Sequence, residues 1–104
     1  MLTNQRTLID AAALRALADP LRHRIVELLA DEQLCTCHLV TETGASQTNV
    51  SNHLRVLREA GLVVSEPAGR YTYHRLAVDR LHDLAAAMSD LSGRAGRADR
   101  RRPC

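Results

Sequence analysis

Apolar residues return every three or four positions along most of this chain, and one short stretch breaks that rhythm. Leu8, Ile9, Ala12, Ala13, Leu14 and Leu17 form a stripe that predicts a helix over residues 8–18. Asp19-Pro20 follows as N-cap and first-turn proline of a second helix reaching Ala30, with Ile25, Val26, Leu28 and Leu29 as its buried face. A third, short helix begins near Cys35 and closes at Gly44, a residue suited to a left-handed C-terminal cap. Gly44-Ala45 then makes a tight turn into a fourth helix over Ser46 to Ala60, capped by Ser46 and ended by Gly61. Leu62 to Glu66 and Tyr71 to Leu76 are rich in β-formers and flank Pro67-Ala68-Gly69-Arg70, which predicts a β-hairpin. Helical spacing resumes from Val78 to Leu91, with Leu81, Leu84, Ala85, Met88 and Leu91 on one side.

The fourth helix has two unlike sides. Val50, Leu54 and Leu57 fall at i, i+4 and i+7 and face the core, while Thr48, Ser51, Asn52 and Arg55 cluster opposite them. An ordinary solvated face carries a mixture of Glu and Lys. This one carries hydrogen-bonding groups of the kind that read base edges, with Gln47 beside them. Two helices joined by a tight turn and followed at once by a hairpin make a winged helix-turn-helix, mainly α with a small β-hairpin. Arg70, at the hairpin tip where Gly69 allows a tight turn, is a candidate phosphate contact. Residues 1–92 read as one DNA-binding and dimerisation domain, and residues 93–104 as a flexible Arg-rich tail ending in Cys104.

Composition narrows the setting. With 104 residues, no Trp, no Phe and two Tyr, the core must come from Leu, Val, Ile and Ala, and a single small domain of this kind gains from dimerisation. The net charge of +2 hides an asymmetry: residues 94–104 hold five Arg against Asp99, leaving the rest of the chain net negative. The tail serves solubility or phosphate contact. Arg6 and Asp10 interrupt the N-terminus, and no apolar run is long enough to span a bilayer, so neither a signal peptide nor a membrane anchor is expected. Three cysteines, two of them only two residues apart, argue against a secreted disulfide framework and for a reduced cytoplasm. There is no Gly-rich phosphate loop, no paired acid–base carboxylates and no nucleophile–base set, so no enzyme is expected.

Three segments together resemble the ArsR/SmtB family of bacterial metal-responsive repressors, over nearly the whole stretch from Leu8 to Leu91. ALADPLRHRIVELL (residues 16–29) resembles the family's second helix, and SQTNVSNHLRVLREAGLV (residues 46–63) its recognition helix. LCTCHLV (residues 34–40) resembles the signature of the arsenic-sensing branch. The resemblance implies a homodimer built on the first and last helices, which binds operator DNA and releases it when a metal or metalloid binds. Two positions depart from the pattern: His38 stands where that branch has Asp, and Val40 where some members have a third Cys.

Cys35 and Cys37 are therefore the candidate inducer ligands. Soft thiolate sulfur selects As(III) or Sb(III) over the abundant hard cations. A helix start, with its free N–H groups and dipole, favours thiolate. If both lie in the first turn of a regular helix they point about 200° apart, so one ion could join them only by distorting that turn. The competing readings are a pair of small buried hydrophobes, a thiol-redox switch, and a site for Zn, Cd or Pb in a repressor of the same fold. A thiol oxidoreductase or metal carrier would leave the recognition helix and wing unexplained. Cys104 is the candidate third ligand, with water or a small thiol as the alternatives. Among the histidines, His38 could tune a zinc or cadmium site but reads first as solvent-facing, as does His23; His53 reads as hydrogen-bonded or packed at the edge of the core, and His74, in a wing strand, as able to approach phosphate though nothing requires it. Asp79, His82 and Asp83 offer D-x-x-H where the family's last-helix zinc site has D-x-H followed by H-x-x-E. The function expected is thus a metalloid-responsive transcriptional repressor.

Overall fold

The computed structural model describes residues 8–104; Arg6 lies outside them. Helix α1 (Ala11–Ala18) starts three residues later than its apolar stripe, because Asp10 caps it, its Oδ1 accepting from the N–H groups of Ala12 and Ala13. Helix α2 (Pro20–Asp31) begins as expected, with Asp19 accepting from Leu21 and Arg22 and Pro20 in the first turn. Helix α3 (Thr36–Thr43) ends on Gly44 at φ 73°, whose N–H returns to the Val40 carbonyl. Helix α4 (Gln47–Glu59) is capped by Ser46 Oγ, which accepts from Asn49 N–H.

Three features differ from the sequence expectation. First, Leu34–Cys35 forms a strand, β1, so the wing is a three-stranded antiparallel sheet in the order β1-β3-β2, with β2 spanning Val63–Ala68 and β3 Tyr71–Leu76. Second, β2 runs through Pro67, which pairs with Thr72, and only Gly69-Arg70 is left as the turn. Proline is tolerated there because β2 is an edge strand. Third, the last helix, α5, runs from Val78 to Arg97, so residues 93–97 are helical and the irregular tail starts at Ala98. Gly93 and Gly96 each cost a helix about 1 kcal/mol relative to alanine. Against that, Arg94 pairs with Asp90 at 3.1 Å one turn back, and Arg94 and Arg97 sit at the negative end of the helix dipole.

The core follows the apolar pattern. Ile25, Leu29, Leu39, Val50, Leu54, Leu57 and Leu62 are buried together beneath the recognition helix, with Ala13 and Ala16 of α1. Helix α5 contributes less: Leu81 and Leu84 pack against this core, but Met88 and Leu91 are half exposed, as is Leu14 of α1, and Leu8 before α1 is largely exposed. Arg80 ties the two helices together, donating to Asp10 at 2.8 Å and to the Ala60 carbonyl at 3.1 Å. No described helix is long and apolar enough to cross a membrane.

Candidate DNA interface and thiol site

Gln47, Thr48, Ser51, Asn52 and Arg55 all lie exposed on α4, while Val50, Leu54 and Leu57 on its other side are buried. The first turn of α4 also presents free backbone N–H groups toward anything approaching its N-terminus. Arg70 is exposed at the wing tip, beside Gly69 at φ 64°. It is expected to hold phosphate, so Arg70→Ala should lower the salt slope of operator binding by about one unit and leave sequence preference alone. An unchanged slope in the salt titration would show that the wing stays clear of DNA.

The histidines divide. His53, on the inner edge of α4, is hydrogen-bonded to Arg22 at 3.0 Å, as expected for a core-edge residue. His23 is exposed and sits 3.6 Å from Glu27. His74 does not approach phosphate. It is 2% exposed, in the central strand, between Thr36 Oγ1 (2.9 Å from Nε2) and Ser65 Oγ (2.6 Å from Nδ1). Burial first, and then the nearby Arg58 guanidinium, hold its pKa below the ordinary histidine value.

The thiols are placed differently from a shared helical turn. Cys35 is the last residue of β1 and the N-cap of α3, extended at φ −83° and ψ 167°, and pairs with Tyr73 across the sheet. Cys37 is the second residue of α3. The change of backbone direction at that junction cancels the helical divergence. The two Cα atoms are 5.4 Å apart and the sulfurs meet as a disulfide, so no distortion of α3 is needed to bring them together. Cys35 is buried and Cys37 exposed, so the pair is reachable from one side.

His38 is exposed, as the sequence suggests, and its ring is also turned back onto this site, where it could tune a zinc or cadmium ion. Its Nδ1 accepts from Cys35 N–H at 3.1 Å and lies 3.2 Å from Cys35 Sγ, and its ring packs at a tilt against Tyr73. Donor atoms of Cys35, Cys37 and His38 lie within 4.8 Å of one another, a soft set with one borderline nitrogen. Cys104 is exposed at the end of the tail and is not part of this group. Asp79, His82 and Asp83 make no such group among the described residues. An open pocket alongside is lined by His38, Tyr73, Asp31, Glu32 and Glu42, which biases the approach to the site in favour of cations.

Comparison with known proteins agrees with this architecture. Residues 19–65 match the family model described as bacterial regulatory protein, arsR family. The chain is 42% identical over 93 residues to the HTH-type transcriptional repressor SmtB of Mycobacterium tuberculosis, covering 88% of this chain and 67% of that one. It is 38% identical over 71 residues to the arsenical resistance operon repressor of Escherichia coli, covering 67% and 61% respectively. A solved structure described as a "possible transcriptional regulator for arsenical resistance" superposes with a TM-score of 0.70 at 34% identity, covering 86% of this chain and 98% of that one. The chain belongs to the ArsR/SmtB family of winged-helix transcriptional regulators. It is a DNA-binding repressor of that type and not an enzyme.

Proposed function

We propose that this repressor senses metalloids: it holds operator DNA as a homodimer and lets go when As(III) or Sb(III) binds the Cys35 and Cys37 thiolates. The observation that carries this reading is the convergence of the two sulfurs at the β1–α3 junction, directly before the helix-turn-helix. Exchange with two equivalents of a small cellular thiol, itself oxidised to its disulfide, reduces the pair to a dithiol that one thiophilic ion can bridge without unwinding α3. The name of the Escherichia coli relative, an arsenical resistance repressor, points the same way. The exposed Leu8, Leu14, Met88 and Leu91 on the α1 and α5 side supply apolar surface for a second copy. Two-fold symmetry would then present two recognition helices to the paired half-sites of an operator.

The third ligand is the open position. Cys104 can reach the site only by ordering the tail from Ala98 onward, at a cost of about 1–2 kcal/mol per residue, although extended residues span up to about 3.3–3.6 Å each. His38 is already there. A Cys2His set with acidic groups beside it favours a second reading, zinc or cadmium sensing.

Operator binding measured with arsenite, antimonite, cadmium and zinc in turn tests the proposal. Release by arsenite and antimonite is expected. Release by cadmium or zinc alone would transfer the function to the second reading, and release by oxidant alone would make the pair a redox switch. Arsenic X-ray absorption without added thiol assigns the third ligand. Two sulfur neighbours and one light atom fit His38 or water, and three sulfurs lost in Cys104→Ser fit Cys104.

A further inference from the structure

Between the two cysteines stands Thr36, whose side chain reaches into the sheet. Its Oγ1 is 2.9 Å from His74 Nε2 in β3. On the far side of that ring, Nδ1 is 2.6 Å from Ser65 Oγ in β2, and Arg58 Nη1 donates to the same Oγ at 3.3 Å. Arg58 belongs to the last turn of α4, three residues beyond Arg55. Four side chains from four elements therefore form one continuous chain from the thiol junction to the recognition helix.

His74 is buried, and burial favours the neutral ring, which has one N–H and one lone pair to place. Ser65 Oγ accepts from Arg58 and is bonded to His74 Nδ1, while Thr36 Oγ1 is bonded to Nε2. A hydroxyl can donate or accept, so both ring nitrogens are partnered in either tautomer. A buried ring has no water to replace a lost partner, so movement at either end is costly unless the other members follow.

We infer that His74 couples the thiol site to the recognition helix through Thr36, Ser65 and Arg58. An ion bridging Cys35 and Cys37 fixes the backbone on both sides of Thr36 and so repositions its hydroxyl. The ring follows the hydroxyl, Ser65 follows the ring, and the Arg58 end of α4 is re-aimed in the groove. This supplies the route to DNA release that distortion of α3 would otherwise have to provide. His74 touches neither ion nor base, so it is a positioning residue. The inference rests on Cys35 and Cys37 being the inducer site.

The test uses the full-length reduced protein, with arsenite and cadmium as probe ions. Operator affinity is measured with and without ion for wild type, Thr36→Val and Ser65→Ala, and ion uptake is followed separately by thiolate-to-ion absorption. Both variants should take up the ion as the wild type does. The factor by which the ion weakens operator binding should fall about tenfold, a large share of a typical allosteric coupling. A wild-type factor in either variant overturns the relay. Ring 15N chemical shifts of His74 in the wild type give an arm independent of how the variants fold. They should move when the ion is added, and unmoved shifts overturn the relay. A wild type that takes up neither ion, or takes one up without release, overturns the sensing reading and the relay with it. A wild type that is released together with its variants overturns the relay alone.

Discussion

Cys35→Ser and Cys37→Ser, each alone, are expected to hold operator DNA normally and to stay on it when arsenite is added. The structure explains why folding should survive. Cys35 is the N-cap of α3, a position where serine is preferred to most residues. A serine hydroxyl there also has His38 Nδ1, 3.2 Å from the present sulfur, as a partner, so no buried polar group is orphaned. Cys37 is exposed, and in the reduced protein, where no disulfide is lost, substitutions of that kind usually change stability by less than about 0.5 kcal/mol. What disappears is the soft donor, and one remaining thiolate cannot bridge. Operator binding titrated with arsenite checks this. Release of either variant at the wild-type concentration would remove that cysteine from the ligand set.

Arg55→Ala is expected to weaken operator binding by about 1–3 kcal/mol, roughly 5- to 150-fold. Arg55 is exposed at the middle of the polar side of α4, one turn from Ser51 and Asn52, with its backbone held by Leu54 beneath it. Alanine is the strongest helix former, so α4 itself should be undisturbed and the loss can be assigned to the guanidinium. The pattern of loss is informative. If Arg55 reads a guanine edge, preference at one base pair relaxes, whereas a phosphate contact would weaken operator and random DNA alike. Affinities for operator and for random DNA that are both unchanged from wild type would place Arg55 outside the interface.

Much of the fold could be read directly from the chain because its signals are local. Caps are set by short-range hydrogen bonds, which is why Asp19, Ser46, Gly44 and Gly61 mark helix ends correctly. Periodicity separates the buried Val50, Leu54 and Leu57 from the exposed Thr48, Ser51, Asn52 and Arg55 without reference to anything else. Even the end of α5 was a near thing: the Gly and Arg content suggests a tail from residue 93, but pairing with Asp90 and the helix dipole extend the helix to Arg97.

The thiol site was legible only in part. That Cys35 and Cys37 belong together follows from their spacing and soft chemistry. That they meet without distorting a helix does not, because it depends on β1. A two-residue strand has no periodicity to detect, and it exists only because Leu34 and Cys35 find His74 and Tyr73 across the sheet. The same pairing brings Thr36 to His74, partners 38 residues apart in the chain, whereas His38 turns back to Cys35 through a local capping contact at the start of α3.

The sequence by itself thus determined the winged helix-turn-helix, the exposed polar face of α4 and the nearness of two soft side chains, Cys35 and Cys37, since each rests on residue type and near-neighbour spacing. Only the tertiary structure decided that Cys35 leaves a strand to meet Cys37, and that a buried His74 lies between Thr36 beside them and Ser65, next to Arg58 of α4. Those features depend on strand register, and register is determined by which faces can be buried against one another once the whole chain has packed.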